Sequence, residues 1–197
     1  MRIRNWRVYL LLAALASLAA CGKQERLEAV GFAKVLAAKQ ANFTSAGVIE
    51  KEFVDNARAW CGGITGSGSG HGPELDQNAV VASELAKSAM AASAQLSEIR
   101  QAIDAYTLQQ EYPRSVRNAL TTQLTRRQRM LQDVRAMLDD SAAQFRQYRA
   151  TKSAGDTYPD GISKLVALLA SYKPPEDALA SALSALKSKY NLADGEI

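Results

Sequence analysis

The chain has few of the residues that most often build metal and catalytic sites. Its 197 residues include one histidine, His71, and two cysteines, Cys21 and Cys61. So few nitrogen and sulfur ligands cannot form a zinc or copper site of the usual kind. The sequence also lacks a Glu-x-x-His pair for a di-iron bundle and a Cys-x-x-Cys-His motif for haem. It predicts no metal site, no cofactor and no enzymatic activity, since no acid–base or nucleophile set can be placed.

Strand-forming patterns are also scarce. Aromatic residues make up 7% of the chain, and no run that alternates apolar and polar residues is long enough for a convincing strand. The chain is instead rich in alanine, leucine, glutamine, arginine, glutamate and lysine, which favour helices. The sequence therefore predicts an all-α protein.

Apolar residues recur at helical spacing in four stretches. The first runs from Lys23 to about Trp60, and its cap-forming residues and glycine at 42–47 predict a break or kink. Gly62-Gly63 is expected to end this helix. A glycine–serine loop over residues 62–73 follows.

Two long helices of about 37 residues each, roughly 55 Å long, come next. Pro73 and Glu74 suit the start of the first. Tyr112-Pro113 is expected to separate the two, because the residue before a proline is disfavoured in a helix. Together they predict an antiparallel hairpin. After a loop at 155–161, the last stretch continues to Tyr190 with an interruption at Pro174-Pro175.

Four stretches of similar length are most simply buried in an antiparallel helical bundle of about four rods, the first and last kinked. The prediction is one domain over residues 21–190 with a frayed polar tail at 191–197. In this topology Trp60 and the glycine-rich loop lie at one end. The Pro113 turn and the C-terminus lie at the other.

The N-terminal segment has the pattern of a secretory signal. Three arginines precede an apolar run over residues 8–18, which ends in small residues and Cys21. The run is too short to cross a bilayer of about 30 Å as a mature helix. The sequence therefore predicts a cleaved signal peptide over residues 1–20.

The end of this segment, Leu18-Ala19-Ala20-Cys21, resembles the lipobox of bacterial lipoproteins. The resemblance implies cleavage before Cys21, attachment of diacylglyceryl and acyl chains such as palmitate there, and a protein tethered to a membrane of the cell envelope. Gly22 in place of aspartate is similar to the pattern for sorting to the outer rather than the inner membrane. With Cys21 acylated, Cys61 is the only thiol, which excludes an intramolecular disulfide.

The net charge gives no indication of nucleic-acid binding. The chain has 24 basic and 20 acidic residues, and three of the basic ones lie in residues 1–20, which contain no acid. The mature chain is therefore almost neutral, whereas nucleic-acid binding needs a dense basic patch.

The charge is nevertheless divided between the two long helices. Residues 74–113 carry six acids and two bases, and residues 114–152 carry nine bases and three acids. Such helices attract each other along a hairpin. Folding at 112–113 places Arg127 opposite Glu98, which predicts an ion pair between them.

The alternative interpretation of the basic helix is a binding stripe. Arg126, Arg127 and Arg129, together with Arg135, would face an acidic partner or lipid headgroups. These arginines are candidate binding residues.

A second group of candidate binding residues lies at the end far from Cys21. Trp60 and Cys61 close the first helix, and His71 lies in the glycine-rich loop. Cys61 is either a buried small apolar residue or an exposed thiol able to link a dimer by a disulfide. His71 is either a ligand-binding residue or a solvated loop residue.

These observations predict a membrane-anchored envelope lipoprotein that acts through protein–protein interaction, as an adaptor or as a toxin-immunity or inhibitor protein. The alternative is a helical bundle that binds a small molecule or lipid between its rods. Four-helix bundles host many functions, so the fold does not decide between them.

Overall fold

The helical periodicity of the sequence is realised in five α-helices and a short 3-10 helix. The computed structural model describes residues 6–66, 72–151, 161–172 and 177–197, and the side chains of residues 22–65, 74–151, 161–172 and 177–197. The helices are α1 (Trp6–Gly66), α2 (Gly72–Asp104), α3 (Glu111–Thr151), α4 (Gly161–Ser171) and α5 (Ala178–Tyr190), followed by a 3-10 helix (Asp194–Glu196). None of these ranges contains a strand.

The helices form an antiparallel bundle in which α4 and α5 together serve as the fourth rod. The α2–α3 interface is the largest, α1 packs against α2 and α5, and α3 packs against α4 and α5. Helices α1 and α3 are diagonal partners that touch only slightly. The predicted all-α bundle with a long central hairpin is confirmed.

The register of the hairpin is also as predicted. The Thr121 hydroxyl donates to Asp104 Oδ1 at 2.8 Å, and Arg149 Nε donates to Asp76 Oδ2 at 3.1 Å. The residue numbers of each pair add to 225, as folding at 112–113 requires. The turn itself lies earlier than predicted, at 105–110. Tyr112-Pro113 does not end α2 and instead belongs to the first turn of α3. A proline is tolerated there, because a backbone N–H in the first turn would have no hydrogen-bond partner within the helix.

A side chain from α1 explains where α3 begins. The Glu28 carboxylate accepts hydrogen bonds from the backbone N–H groups of Gln109 and Gln110, both at 2.9 Å. These N–H groups precede the helix and have no partner within it. A negative charge at a helix N-terminus is also favourable to the helix dipole. Because Glu28 is about eighty residues away in sequence, no local pattern indicates this cap.

Helix α1 contradicts two predictions, since it continues unbroken through 42–47 and does not end at Gly62-Gly63. Phe43 and Ala46 are buried in the core, so packing favours helix at the predicted break. The Thr44 hydroxyl donates to the Gln40 carbonyl one turn earlier, at 3.0 Å, which satisfies it inside a helix. Tertiary contacts therefore outweigh the local preference for a break.

The C-terminal tail is folded onto the bundle, contrary to the frayed tail that the sequence predicts. Leu192 is buried in the core. Lys187 Nζ lies 2.8 Å from Asp194 Oδ1, and Arg26 Nη2 lies 2.6 Å from Glu196 Oε1. The Ala193 backbone N–H and Arg26 both lower the pKa of Glu196. The tail therefore closes the same end of the bundle as the 105–110 turn.

The fourth rod is two helices, as the sequence predicts, although the loop residues 155–160 and Pro174-Pro175 lie outside the described residues. Helix α5 begins where Asp177 Oδ1 accepts a hydrogen bond from the Ala180 N–H at 2.9 Å. Leu165 and Leu169 of α4 and Leu179 and Leu186 of α5 are buried. This rod therefore covers the groove between α1 and α3.

Gly31 of α1 marks a close approach to the 105–110 turn. A Cβ atom added there would overlap the Tyr106 hydroxyl oxygen and lie 3.2 Å from Tyr106 Cζ. The Tyr106 ring cannot move freely, because it stacks on Phe32 with ring centroids 5.8 Å apart. Gly47, on the same helix, has open space around its Cβ position.

These two glycines give a matched pair of substitutions. We expect Gly47→Ala to raise the free energy of unfolding by about 0.5–1 kcal/mol, because alanine favours a helix. Gly31→Ala should lower it, because overpacking costs about 1–3 kcal/mol and exceeds that gain. Urea unfolding followed by circular dichroism measures both. Adding Tyr106→Phe to Gly31→Ala should recover most of the loss, and a double variant no more stable than Gly31→Ala alone would contradict this explanation.

Candidate functional site

A buried ion pair joins the diagonal helices at the centre of the bundle. The Glu50 carboxylate of α1 accepts hydrogen bonds from Arg127 of α3, from Nη2 and, at 3.1 Å, from Nε. Glu50 is fully buried and Arg127 is 7% exposed. Such a pair is costly to desolvate and stable only with good geometry and further hydrogen bonds.

Two aromatic residues complete this centre. The Tyr172 hydroxyl donates to the other carboxylate oxygen, Glu50 Oε1, at 2.5 Å. The Phe43 ring lies 4.8 Å from the Arg127 guanidinium carbon, a favourable cation–π arrangement. Burial raises the pKa of Tyr172, and the hydrogen bond to Glu50 raises it further. The phenol therefore keeps its proton and remains a donor. Three elements, α1, α3 and the end of α4, are thus fixed to one another.

The sequence predicts an ion pair between Arg127 and Glu98. That prediction is wrong, because Arg127 pairs with Glu50 instead. The register does place the two residues at the same level, but Arg127 lies on the buried face of α3 with Leu124 and Leu131. Its side chain enters the core, whereas Glu98 is exposed. The correct partner has a signal in the sequence: Glu50 interrupts the apolar face of α1.

The predicted stripe of arginines does not form one surface. Arg127 is inside the core, while Arg126 and Arg129 are exposed on α3. Arg135 lies 3.4 Å from Asp139, its neighbour one turn along the same helix. Of this group, Arg126, Arg129 and Arg135 are thus exposed, and among these three Arg126 and Arg129 have no ion-pair partner within the described residues.

Trp60 and Cys61 lie together at the opposite end of the bundle from the 105–110 turn. Trp60 is half-buried, its Nε1–H donates to Asn78 Oδ1 at 3.2 Å, and its ring meets the Phe145 ring edge-on. Cys61 is 2% exposed, and burial raises its pKa to about 11. Of the two interpretations of Cys61, the structure shows the buried one.

The two candidate groups are not brought together. Phe145, which contacts Trp60, lies 18 residues after Arg127 on α3, or about 27 Å along the helix. The side chains of the other two candidates, His71 and Cys21, lie outside the described residues. Among the residues that the structure describes, no three His, Cys, Asp or Glu side chains are grouped to hold a metal ion.

Sequence reasoning missed the surface clefts, which form where two helices meet. One of about 200 Å³ lies between α1 and α2 and is lined mainly by polar residues: Lys39, Asn42, Ser45, Gln95, Glu98 and Ile99. A second, of about 190 Å³, lies beside Cys61 and is mainly apolar. The residues that line the polar cleft come from two different helices and are mainly polar. They are brought together only by the packing of α1 on α2, which no local sequence pattern indicates.

The buried ion pair can be tested by removing one or both partners. Glu50→Ala leaves the Arg127 charge buried without compensation, and we expect the free energy of unfolding to fall by about 3–5 kcal/mol. Glu50→Leu combined with Arg127→Met should recover most of that loss, because it buries apolar groups in place of charges. Urea unfolding measures the effect.

Glu98→Ala is the matched control for this prediction. We expect a change within about 0.5 kcal/mol, because the side chain is exposed. A Glu98→Ala variant as unstable as Glu50→Ala would contradict the assignment of the pair.

The burial of Cys61 predicts slow alkylation. At pH 8 a pKa near 11 leaves about a hundredfold less thiolate than the ordinary value near 9, and the thiolate is the reacting form. In a Cys21→Ser background, iodoacetamide should therefore modify native Cys61 at least that much more slowly than in urea. The native rate should rise as pH approaches 11. Similar native and denatured rates, or a dimer sensitive to reductant, would show an exposed thiol.

Comparison with known proteins adds no relative to this description. No protein-family model matches the chain, and neither a curated protein nor a solved structure matches it. The function has to be inferred from the chain's own residues.

Proposed function

We propose that this chain is a lipid-anchored lipoprotein of the cell envelope that acts without catalysis, by binding another envelope protein as an adaptor or as a toxin-immunity or inhibitor protein. The lipobox-like sequence ending at Cys21 supports the anchor. Its Gly22 supports outer-membrane rather than inner-membrane sorting. The bundle would then face the periplasm or the cell exterior.

The observation that carries this proposal is the continuity of α1. The helix passes through Cys21 and extends to Gly66 without a break, a length of about 68 Å beyond the anchor. Ala29, eight residues after Cys21, is already buried in the bundle. An anchor at Cys21 would thus be joined to the bundle by about two helical turns and no flexible spacer, and the far end would be held at a fixed height.

The composition of the core favours protein binding over the alternative of a lipid cavity. Phenylalanine side chains of α1 and leucines of α3 fill the space between the rods and are buried: Phe32, Phe43, Phe53, Leu124, Leu131 and Leu138. The clefts given above lie at seams between helices and are too small for an acyl chain. In addition, the exposed arginines Arg126 and Arg129 have no partner among the described residues, which suits an acidic partner surface.

None of the helices in the described ranges is both long and apolar enough to cross a membrane. In this proposal the association with the membrane therefore depends on the acyl chains. Several acyl chains bind a bilayer stably, at about 0.8 kcal/mol per buried CH₂ group.

The anchor is tested by labelling growing bacteria that express the chain with an alkyne analogue of palmitate. Wild type and Cys61→Ser should carry the label and sediment with outer membranes. Cys21→Ser should carry none and lose membrane association. Label that is absent from wild type, or that persists in Cys21→Ser, would contradict a lipoprotein anchored at this cysteine.

Partner binding is tested on the anchored protein with a photoreactive amino acid at Ala150, at the far end, or at Gln109, in the turn near Cys21; both residues are exposed. We expect one cross-linked envelope protein from position 150, lost when Cys21→Ser releases the anchor. No cross-link at either position, or the same products in the unanchored variant, would contradict an envelope adaptor held at a fixed height.

A further inference from the structure

The polar cleft between α1 and α2 carries charges that are not neutralised by the protein. Lys39 lines it from α1, and Glu98 lines it from α2. Neither side chain forms an ion pair or hydrogen bond within the part of the chain that the structure describes. Oppositely charged neighbours on packed helices commonly pair, as Lys51 and Asp55 do at 2.8 Å on α1.

An unpartnered acceptor lies in the same cleft. Gln95 lines it, and the Gln95 Oε1 atom is buried but accepts no hydrogen bond. A buried acceptor without a donor costs free energy. The Gln95 side chain has to turn toward the cleft for a ligand N–H group to reach this oxygen and remove that cost. Asn42 and Ser45, both exposed, offer further donors and acceptors at the rim.

We propose that this cleft binds a small zwitterion of the α-amino-acid class. The ligand carboxylate would lie at the Lys39 ammonium, and the ligand ammonium would lie between the Glu98 carboxylate and Gln95 Oε1. A volume of about 200 Å³ accommodates an amino acid but not a lipid chain or a folded peptide segment.

The proposal is independent of the anchor and of any protein partner, because the lining residues come from the bundle alone. A zwitterion suits the site better than a simple anion or cation, since each of these would leave one of the two opposed charges unpaired. A specific site for a zwitterion should therefore need both charges at once.

The test is a thermal-unfolding titration of the full chain with each of the twenty common L-amino acids, up to 10 mM. A ligand that binds only the folded state raises the midpoint with concentration. We expect at least one amino acid to do so. Isothermal titration calorimetry then gives its Kd for wild type and variants. Lys39→Met and Glu98→Gln should each weaken binding by about tenfold or more, because each removes one charged contact.

Matched controls are Lys164→Met and Glu52→Gln, which change exposed charges outside the cleft and should leave the Kd unchanged. The N-acetyl and carboxamide derivatives of the binding amino acid, each lacking one charge, should fail to bind wild type. The measurement with these derivatives uses only the wild-type protein, so it does not depend on whether a variant folds. No binding by any amino acid, binding unaffected by Lys39→Met or Glu98→Gln, or equal binding of a derivative would overturn the proposal.

Discussion

The buried ion pair of Glu50 and Arg127 is the interaction on which the arrangement of the bundle depends. Helices α1 and α3 are diagonal and have little apolar contact with each other. Two opposite charges in the core impose a condition that apolar packing does not, because only one relative position of the helices lets each charge find the other. Tyr172 extends this condition to the fourth rod by its bond to the same carboxylate. The pair thus specifies the register of three elements.

The ends of the bundle are fixed by charges of a different kind. At the end near Cys21, Glu28 caps the start of α3, and Arg26 holds the tail through Glu196. Both side chains belong to the turns of α1 that follow Cys21. The segment of α1 that would follow a lipid anchor therefore also holds the start of α3 and the C-terminal tail in place. These contacts connect this part of α1 firmly to the rest of the bundle.

A filled core limits where function can reside. The interior holds aromatic and leucine side chains and one buried ion pair, so binding has to use the surface, the helix seams or the far end. The two proposals use different parts of the molecule: the anchored rod presents an end to a protein partner, while the α1–α2 cleft offers two opposed charges and an unpaired amide oxygen to a small zwitterion.

Periodicity in the sequence determined the helical class, the four rods and even the hairpin register, because the pattern of buried leucines and alanines is local and regular. The sequence also placed Arg127 near an apolar seam position, between Leu124 and Leu131. It did not determine that Arg127 pairs with Glu50, that Glu28 caps the start of α3, or that Lys39 and Glu98 share a cleft. Each of these joins residues far apart in the chain. Only the tertiary packing decides which distant side chains meet, since local propensities of a few tenths of a kcal/mol give way to burial and charge pairing across helices.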